Sequence, residues 1–196
     1  MRHATLCAAF AAITTLAAAM HAKSPGCKIS VARTDGAGIT TYAAECRWPV
    51  APRFVSAILG DPVRIAAVSS SLTESTRLAD GRVVNVHSPG WPIGDRQSTL
   101  QIERTPLAGD GLQLVYALAS AQAPLSRGRV QSRRDDGRWE IRGDERGGTL
   151  LRHETTYDAG GSLPVGLVQR TVRSTLEKSL AEIRAAAEAD ARAAAR

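Results

Sequence analysis

The sequence predicts an α+β fold in which a curved antiparallel sheet of about seven strands surrounds one long carboxy-terminal helix. Two observations predict this architecture. Turn dipeptides recur at regular intervals between Leu72 and Asp158, without the intervening helices that parallel strands would need. After Gly160 the hydrophobic pattern changes to a helical period that continues almost to the end of the chain. We also expect two short helices after an early strand.

Residues 1–22 have the three parts of a secretory signal peptide. Arg2 supplies a positive start, an uncharged run rich in Ala and Leu covers residues 4–20, and small residues follow before Lys23. The run is too short and too rich in Ala to anchor a bilayer stably. We therefore expect export to the periplasm. Residues 23–187 then form one folded domain, and residues 188–196 form an Ala-rich helical tail.

The chain is basic. Loss of Arg2 with the signal lowers the formal net charge from +6 to +5. In an exported protein this charge favours transient contact with an anionic membrane surface, although a merely soluble basic surface is the alternative. Nothing in the sequence resembles a nucleic-acid-binding module, and we expect a monomer.

Two cysteines remain in the mature chain, and they flank a predicted hairpin. Cys27 and Cys46 are equidistant from the turn signal Asp35-Gly36, which lies between two β-prone runs. A hairpin would place the two cysteines opposite one another, where an oxidising compartment favours a disulfide. Two separate thiols are the alternative, and either role is structural.

The segment after this hairpin is predicted to form the two short helices. The motif Pro49-Val50-Ala51-Pro52 ends the strand, and residues 53–59 carry apolar side chains at helical spacing. Gly60-Asp61-Pro62 interrupts the pattern. Residues 63–68 form the second predicted helix.

A run of strands follows, each ended by a turn signal. The predicted strands are 72–78, 82–87, 98–104, 112–120, 129–134, 138–144 and 149–158. The turn signals are Asp80-Gly81, Gly109-Asp110-Gly111, Asp135-Asp136-Gly137 and Gly147-Gly148. Apolar and polar residues alternate in several strands, as half-buried antiparallel strands require.

The last element is a long amphipathic helix. Its apolar stripe comprises Leu167, Val168, Val172, Leu176, Leu180, Ile183 and Ala187. Arginine, lysine and glutamate occupy the opposite face. In this topology the stripe both packs against the core and covers the opening of the sheet.

This order of elements is that of the helix-grip fold, and four motifs make the resemblance more specific. They are Trp48-Pro49-Val50-Ala51-Pro52-Arg53-Phe54-Val55, Gly90-Trp91-Pro92-Ile93-Gly94-Asp95-Arg96, Gly137-Arg138-Trp139-Glu140-Ile141 and Asp158-Ala159-Gly160-Gly161-Ser162-Leu163-Pro164. With these motifs, residues 41–184 resemble the START (StAR-related lipid-transfer) family of the polyketide-cyclase-like superfamily.

The resemblance implies an internal cavity that binds a lipid or another hydrophobic molecule without catalysis. Arg96 matches the family's charged residue that orients the polar end of the lipid, and a buried guanidinium should meet a carboxylate or the ligand. The preceding strand offers Asn85 and His87 but no Glu. The ligand-binding residues implied are Arg96, Leu114, Tyr116, Val130, His153, Thr155, Leu167 and Thr171. The scarcity of aromatic residues, 4% of the chain, also favours an unfilled interior.

Two other functions are compatible with the sequence. A cyclase- or hydrolase-like enzyme would need a convergent acid–base set, which His153, Tyr116 and Arg96 could supply. An envelope interaction module would have a filled core instead of a cavity. The sequence contains neither a Gly-x-Ser-x-Gly nucleophile elbow nor a phosphate-binding loop, and its four histidines include two in the predicted signal. We therefore expect no cofactor and no metal site.

Overall fold

A computed structural model describes residues 26–90 and 93–196 of the chain. The predicted signal peptide, residues 1–22, lies outside the described residues, as do Trp91 and Pro92 of the second motif. The strands are β1 (Cys27–Thr34), β2 (Thr40–Trp48), β3 (Leu72–Arg77), β4 (Val83–His87), β5 (Arg96–Leu107), β6 (Gly111–Leu118), β7 (Val130–Gln131), β8 (Arg134–Gly143) and β9 (Thr149–Asp158). The helices are α1 (Pro52–Leu59), α2 (Pro62–Val68) and α3 (Val165–Ala194).

The nine strands form one sheet, in which eight follow the order β1-β2-β9-β8-β6-β5-β4-β3. Every pair along this path is antiparallel, and the two-residue strand β7 lies parallel to the start of β5. The predicted α+β architecture is confirmed. The strand count is higher than the predicted seven because the amino-terminal hairpin contributes two strands.

One predicted turn is wrong. Asp135-Asp136-Gly137 lies inside β8, where it pairs in unbroken register with Tyr157, Thr156 and Thr155 of β9. Gly137 is needed there for close packing rather than for a turn, since a Cβ atom at this position would lie 2.6 Å from the Tyr116 hydroxyl and would meet the Glu154 carbonyl. As a consequence, the carboxylate of Asp135 faces the interior, where it is 5% exposed.

The amino-terminal hairpin and its disulfide agree with the prediction. Cys27 is directly opposite Cys46 in the β1–β2 register, and the two are disulfide-bonded. Cys46 is fully buried in the core, whereas most of β1 is exposed. The bond therefore ties an exposed edge strand to the core.

Replacing both cysteines, Cys27→Ser with Cys46→Ser, should lower the free energy of unfolding by about 2–3 kcal/mol. The physical reason is that the bond closes a loop of 19 residues, which restricts the unfolded chain. Urea denaturation of the oxidised protein and the double variant measures the difference. Reduction of the wild type should produce the same loss, and equal midpoints for all three proteins would contradict the prediction.

Helix α3 crosses the concave side of the sheet. Its buried residues, Val168, Leu176, Leu180, Ile183 and Ala187, recur at spacings of three, four or eight along one face. The predicted Ala-rich tail continues the helix to Ala194, and Arg64 of α2 pairs with Asp190 within it. Among the described residues no helix is both long enough and apolar enough to cross a membrane.

The packed core occupies one half of the space beneath α3. Strands β2, β8 and β9 and helix α1 supply fully buried side chains that form one cluster with the middle of α3, among them Trp48, Val55, Ile58, Ile141 and Leu151. The other half, beneath β3, β4 and β5, is not filled in this way. The asymmetry positions the candidate site.

Candidate functional site

A cavity of about 230 Å³ lies between α3 and the concave face of the sheet. Its walls come from six strands of the sheet, β3, β4, β5, β6, β8 and β9, from the end of α1 and from α2. Helix α3 closes the cavity with residues between Val168 and Ile183. Small-molecule pockets usually measure about 300–1,000 Å³. The cavity is therefore suited to one compact or slender ligand.

The period of the strands determines which side chains reach the cavity. Residues at alternate positions share a face, so β5 contributes Ser98, Leu100, Ile102 and Arg104 to the cavity side of the strand, of which the last three line it directly. On β4 the lining residues are Val83, Asn85 and His87. Aliphatic residues make up about half of the lining, and several of its polar groups hydrogen-bond to one another.

The structure brings together five of the eight residues that the resemblance implied. Leu114, Tyr116, His153, Thr155 and Thr171 all line the cavity. Tyr157, which the same alternation of β9 places on the cavity side, also lines it. Ligand contact by these residues stays a prediction.

Three predicted residues do not line the cavity. Val130 lies on the short strand β7 and is 36% exposed, because β7 runs outside the main path of the sheet. Leu167 is one position away from the buried stripe of α3, and Val168 lines the cavity instead. One residue rotates a helix by about 100°, which is enough to exchange a buried for a lateral position.

Arg96 is buried, but its guanidinium meets neither a carboxylate nor the cavity. The side chain is 4% exposed, and Nε donates to the Ala159 carbonyl at 2.7 Å. Nη1 donates to the Ile93 carbonyl and, at 3.4 Å, to that of Asp95. Backbone carbonyls thus satisfy the buried charge, which corrects the expected partner. Arg96 joins the loop before β5 to the end of β9.

The buried carboxylate of the cavity belongs to Asp135 instead. Ser98 donates its hydroxyl to Asp135 Oδ2 at 2.6 Å, and His87 Nε2 lies 3.9 Å from the same oxygen. Burial raises the pKa of Asp135, and His87 and Ser98 offset this only in part. Burial lowers the pKa of His87, which the charge of Asp135 partly opposes. We call Asp135, His87, Ser98 and Tyr157 the Asp135 cluster.

Tyr157 completes this cluster at the end of β9. Its hydroxyl lies 3.1 Å from the Ser132 hydroxyl, and its ring meets the His87 ring edge-on at 5.9 Å. Burial raises the Tyr157 pKa, and the Asp135 carboxylate raises it further. The phenol therefore stays protonated at neutral pH, so it can donate or accept a hydrogen bond.

A second polar set surrounds His153. Its ring stacks on Trp139 with centroids 3.4 Å apart, and Nδ1 lies 2.9 Å from the Arg138 carbonyl. The Tyr116 hydroxyl donates to Thr155 Oγ1 at 3.1 Å. Burial lowers the His153 pKa to about 3, and it raises that of Tyr116. At neutral pH both side chains are therefore uncharged.

The pKa of His153 predicts acid sensitivity. Because the folded protein holds the imidazole neutral down to a pH of about 3, the unfolded chain takes up a proton first as the pH falls below about 6.5. The neutral, buried His153 therefore contributes stability that is fully present above pH 6.5 and is lost as the pH falls from about 6.5 towards 3. Between pH 7 and pH 5 the loss should be about 2 kcal/mol.

Urea unfolding of the wild type and His153→Gln at the two pH values tests this. The variant retains a donor for the Arg138 carbonyl but has no titrating ring. Between pH 7 and pH 5 its free energy of unfolding should therefore fall by about 2 kcal/mol less than that of the wild type. His87 is present in both proteins and cancels in the comparison. Equal losses in the two proteins would show that His153 is protonated in the folded state.

Sequence reasoning missed Asp135, Trp139 and the serine and asparagine groups of the cavity. A signal for Asp135 existed, since a carboxylate two positions before Gly137 keeps strand alternation with Trp139 and Ile141. The Asp-Asp-Gly turn pattern outweighed it. Within the described part of the chain, no group of three His, Cys, Asp or Glu residues is arranged to hold a metal ion.

A curved antiparallel sheet with a long helix covering its cavity is the architecture of helix-grip proteins. Within that class, the fold is that of StAR-related lipid-transfer domains. The STAR-related lipid transfer protein from Xanthomonas axonopodis superposes with a TM-score of 0.72 at 21% identity, over 84% of this chain and 94% of that one. Human StAR-related lipid transfer protein 5 gives 0.72 at 15% identity, over 85% and 84%.

An enzyme shares the architecture as well. The Zhui aromatase/cyclase from a Streptomyces species superposes with a TM-score of 0.57 at 13% identity, over 81% of this chain and 96% of that one. No protein-family model and no curated protein sequence matches the chain. These likenesses establish the fold.

Proposed function

We propose that this protein binds and carries a lipid or another hydrophobic small molecule in the cavity beneath α3, without changing it chemically. The observation that carries the proposal is the cavity itself. Its apolar wall, with Leu100, Ile102 and Leu114 among its members, is interrupted by a few buried hydrogen-bonding groups. Such a combination provides hydrophobic affinity and fixes the orientation of a ligand.

The Asp135 cluster is suited to a neutral hydrogen-bond donor on the ligand. Asp135 accepts only one side-chain hydrogen bond from the described residues, that from Ser98. A ligand hydroxyl could supply a further donor to a carboxylate that burial has deprived of water. Tyr157 beside it offers a protonated phenol. We infer that a hydroxyl or similar group lies at this end of the ligand.

The proteins of like fold support carriage rather than turnover. Two of them are named as lipid transfer proteins, one bacterial and one human. The basic net charge and the predicted signal peptide extend the proposal to a periplasmic carrier. We propose that it acts as a monomer that touches anionic membrane surfaces transiently when it exchanges ligand.

The Zhui aromatase/cyclase makes an enzyme the second candidate. The acid–base set expected for it is His153, Tyr116 and Arg96. The His153 and Tyr116 rings are near each other, with centroids 6.4 Å apart, but a pKa of about 3 makes His153 a weak base at neutral pH. The Arg96 guanidinium is bound to backbone carbonyls. These features favour binding, and the cavity argues against a module with a filled core.

Native mass spectrometry of the mature protein, purified from its own periplasm, tests the proposal. We expect a bound species at near-unit stoichiometry, which solvent extraction and lipid analysis would assign to a chemical class. A bare mass that persists after incubation with an envelope lipid extract would reject lipid carriage. Chemical conversion of the extracted molecule by fresh protein would favour the enzyme.

A further inference from the structure

We infer that the ligand carries an anionic group, a carboxylate or a phosphate, which Arg77 and Arg104 hold at the cavity mouth while the apolar chain points inward. This inference rests on the proposed function and specifies the class of ligand. We define the cavity mouth by Arg77, Arg104, Gly60 and Pro62. Arg77 ends β3, Arg104 lies on β5, Gly60 follows the end of α1, and Pro62 begins α2.

The exposure of the lining residues locates the mouth. Nearly all the side chains that line the cavity are buried or partly buried, whereas Arg77 and Arg104 are exposed. They are also the two lining residues that carry a permanent positive charge. The point at which solvent reaches the cavity wall is therefore basic.

Neither arginine is neutralised by another described residue. Within residues 26–90 and 93–196, no acidic side chain lies within 4.0 Å of either guanidinium, although other arginines of the sheet are paired. Arg104 Nη1 donates to the Gly60 carbonyl at 2.6 Å, which anchors the side chain at the mouth and leaves its other donors available. The nearby Asp61 caps α2 by accepting from the Val63 amide and does not line the cavity.

The strand register places Arg104 far from the Asp135 cluster, whereas Arg77 is level with Leu100 through Val83 of β4. Ser98, which binds Asp135, and Arg104 are six residues apart on the same face of β5, a separation of up to about 20 Å. Leu100 and Ile102 lie between them and line the cavity. The cavity thus has a basic mouth, an apolar wall and a buried carboxylate farther inside.

This distribution of charge determines the orientation of an amphiphile. An anionic group placed next to Asp135 would be poorly solvated and would meet a carboxyl group instead of a basic one, which is unfavourable. At the mouth the same group meets two guanidinium groups, whose forked donors match carboxylate and phosphate oxygens. The anionic end therefore stays at the surface.

The test compares two probes of equal chain length, dodecanoate and dodecanol, by calorimetric titration of the full mature protein. We expect the wild type to bind dodecanoate about tenfold more tightly than dodecanol, which corresponds to about 1.4 kcal/mol. The variant Arg77→Gln with Arg104→Gln should lose this preference and keep its affinity for dodecanol. Added salt should weaken only the binding of dodecanoate.

A matched control removes two charges elsewhere. Arg33 and Arg127 are exposed, make no ion pair with a described residue and do not line the cavity, so Arg33→Gln with Arg127→Gln should keep the preference. Arg77→Gln alone, which breaks no side-chain hydrogen bond, should give a partial loss even if Arg104→Gln disturbs the α1–α2 turn.

Three results would overturn the inference. Equal binding of dodecanoate to the wild type and the double variant, with dodecanol still bound, would remove the arginines from the site and leave the proposed function intact. Acetate that displaces bound dodecanoate as effectively as unlabelled dodecanoate does would indicate a site for free anions. Failure of both alkyl probes to bind would reject the proposed function together with the inference.

Discussion

Replacing Arg96 by Leu should lower the free energy of unfolding by about 3–5 kcal/mol. The guanidinium is buried and donates to the carbonyls of Ala159, Ile93 and Asp95. The Ala159 and Ile93 carbonyls have no other donor among the described residues, whereas the Val130 amide also donates to the Asp95 carbonyl at 3.1 Å. Each buried carbonyl left without a partner costs about 1–3 kcal/mol. The loss should therefore appear in stability before it appears in ligand affinity.

Urea denaturation of ligand-free protein measures this loss, with Arg127→Leu as the matched control on an exposed arginine. Arg96→Lys should lie between the two, because an ammonium keeps the charge but lacks the planar fork that reaches carbonyls of separate segments. A stable Arg96→Leu protein with weakened ligand binding would contradict the geometry. Arg96 would then act directly on the ligand.

Local patterns predicted most of the fold. Alternation along β6 and β9, the Asp-Gly hairpin signal and the change of period at α3 each depend on neighbours within a few residues, which a sequence displays directly. The disulfide followed from the same hairpin register, in which Cys27 and Cys46 are equidistant from the turn.

The interior of the site was less predictable, because it depends on contacts between distant segments. Asp135 faces the cavity because β8 continues in register with β9 through Gly137. The missing side chain of Gly137 leaves room for the hydroxyl of Tyr116, a residue 21 positions away. A turn pattern read from three adjacent residues contains no information about it. The strand hydrogen bonds to β9 outweigh the local turn preference.

Leu167 and Val130 were predicted to line the cavity, and the place of each residue within its helix or strand explains why neither does. The predicted stripe of α3 includes both Leu167 and Val168, and only the start of the helix and its crossing of the sheet decide which of them faces the cavity. Val130 lies on a strand of two residues, too short to show alternation. Scarce aromatic residues did predict a cavity, yet Tyr116, Trp139 and Tyr157 all line it.

Filling the cavity should abolish most of the ligand binding. Leu100 is 3% exposed and lies in the middle of the apolar wall, between the Asp135 cluster and the mouth. In Leu100→Trp the larger ring can occupy part of the 230 Å³ that the ligand would use. Forcing the ligand into the remaining space should cost about 1–3 kcal/mol, which weakens affinity by about 5- to 150-fold.

Ligand-free stability separates this effect from simple overpacking. Leu100→Trp should unfold at nearly the same urea concentration as the wild type, because its new ring enters a void. Val115→Trp adds a comparable ring on the outward face of the neighbouring strand β6, where Val115 is 39% exposed, and should bind dodecanol normally.

A Leu100→Trp protein that is destabilised by several kcal/mol would indicate a packed wall, whereas unaltered affinity would place the ligand elsewhere. Loss of binding with stability retained would assign the ligand to the space beneath α3.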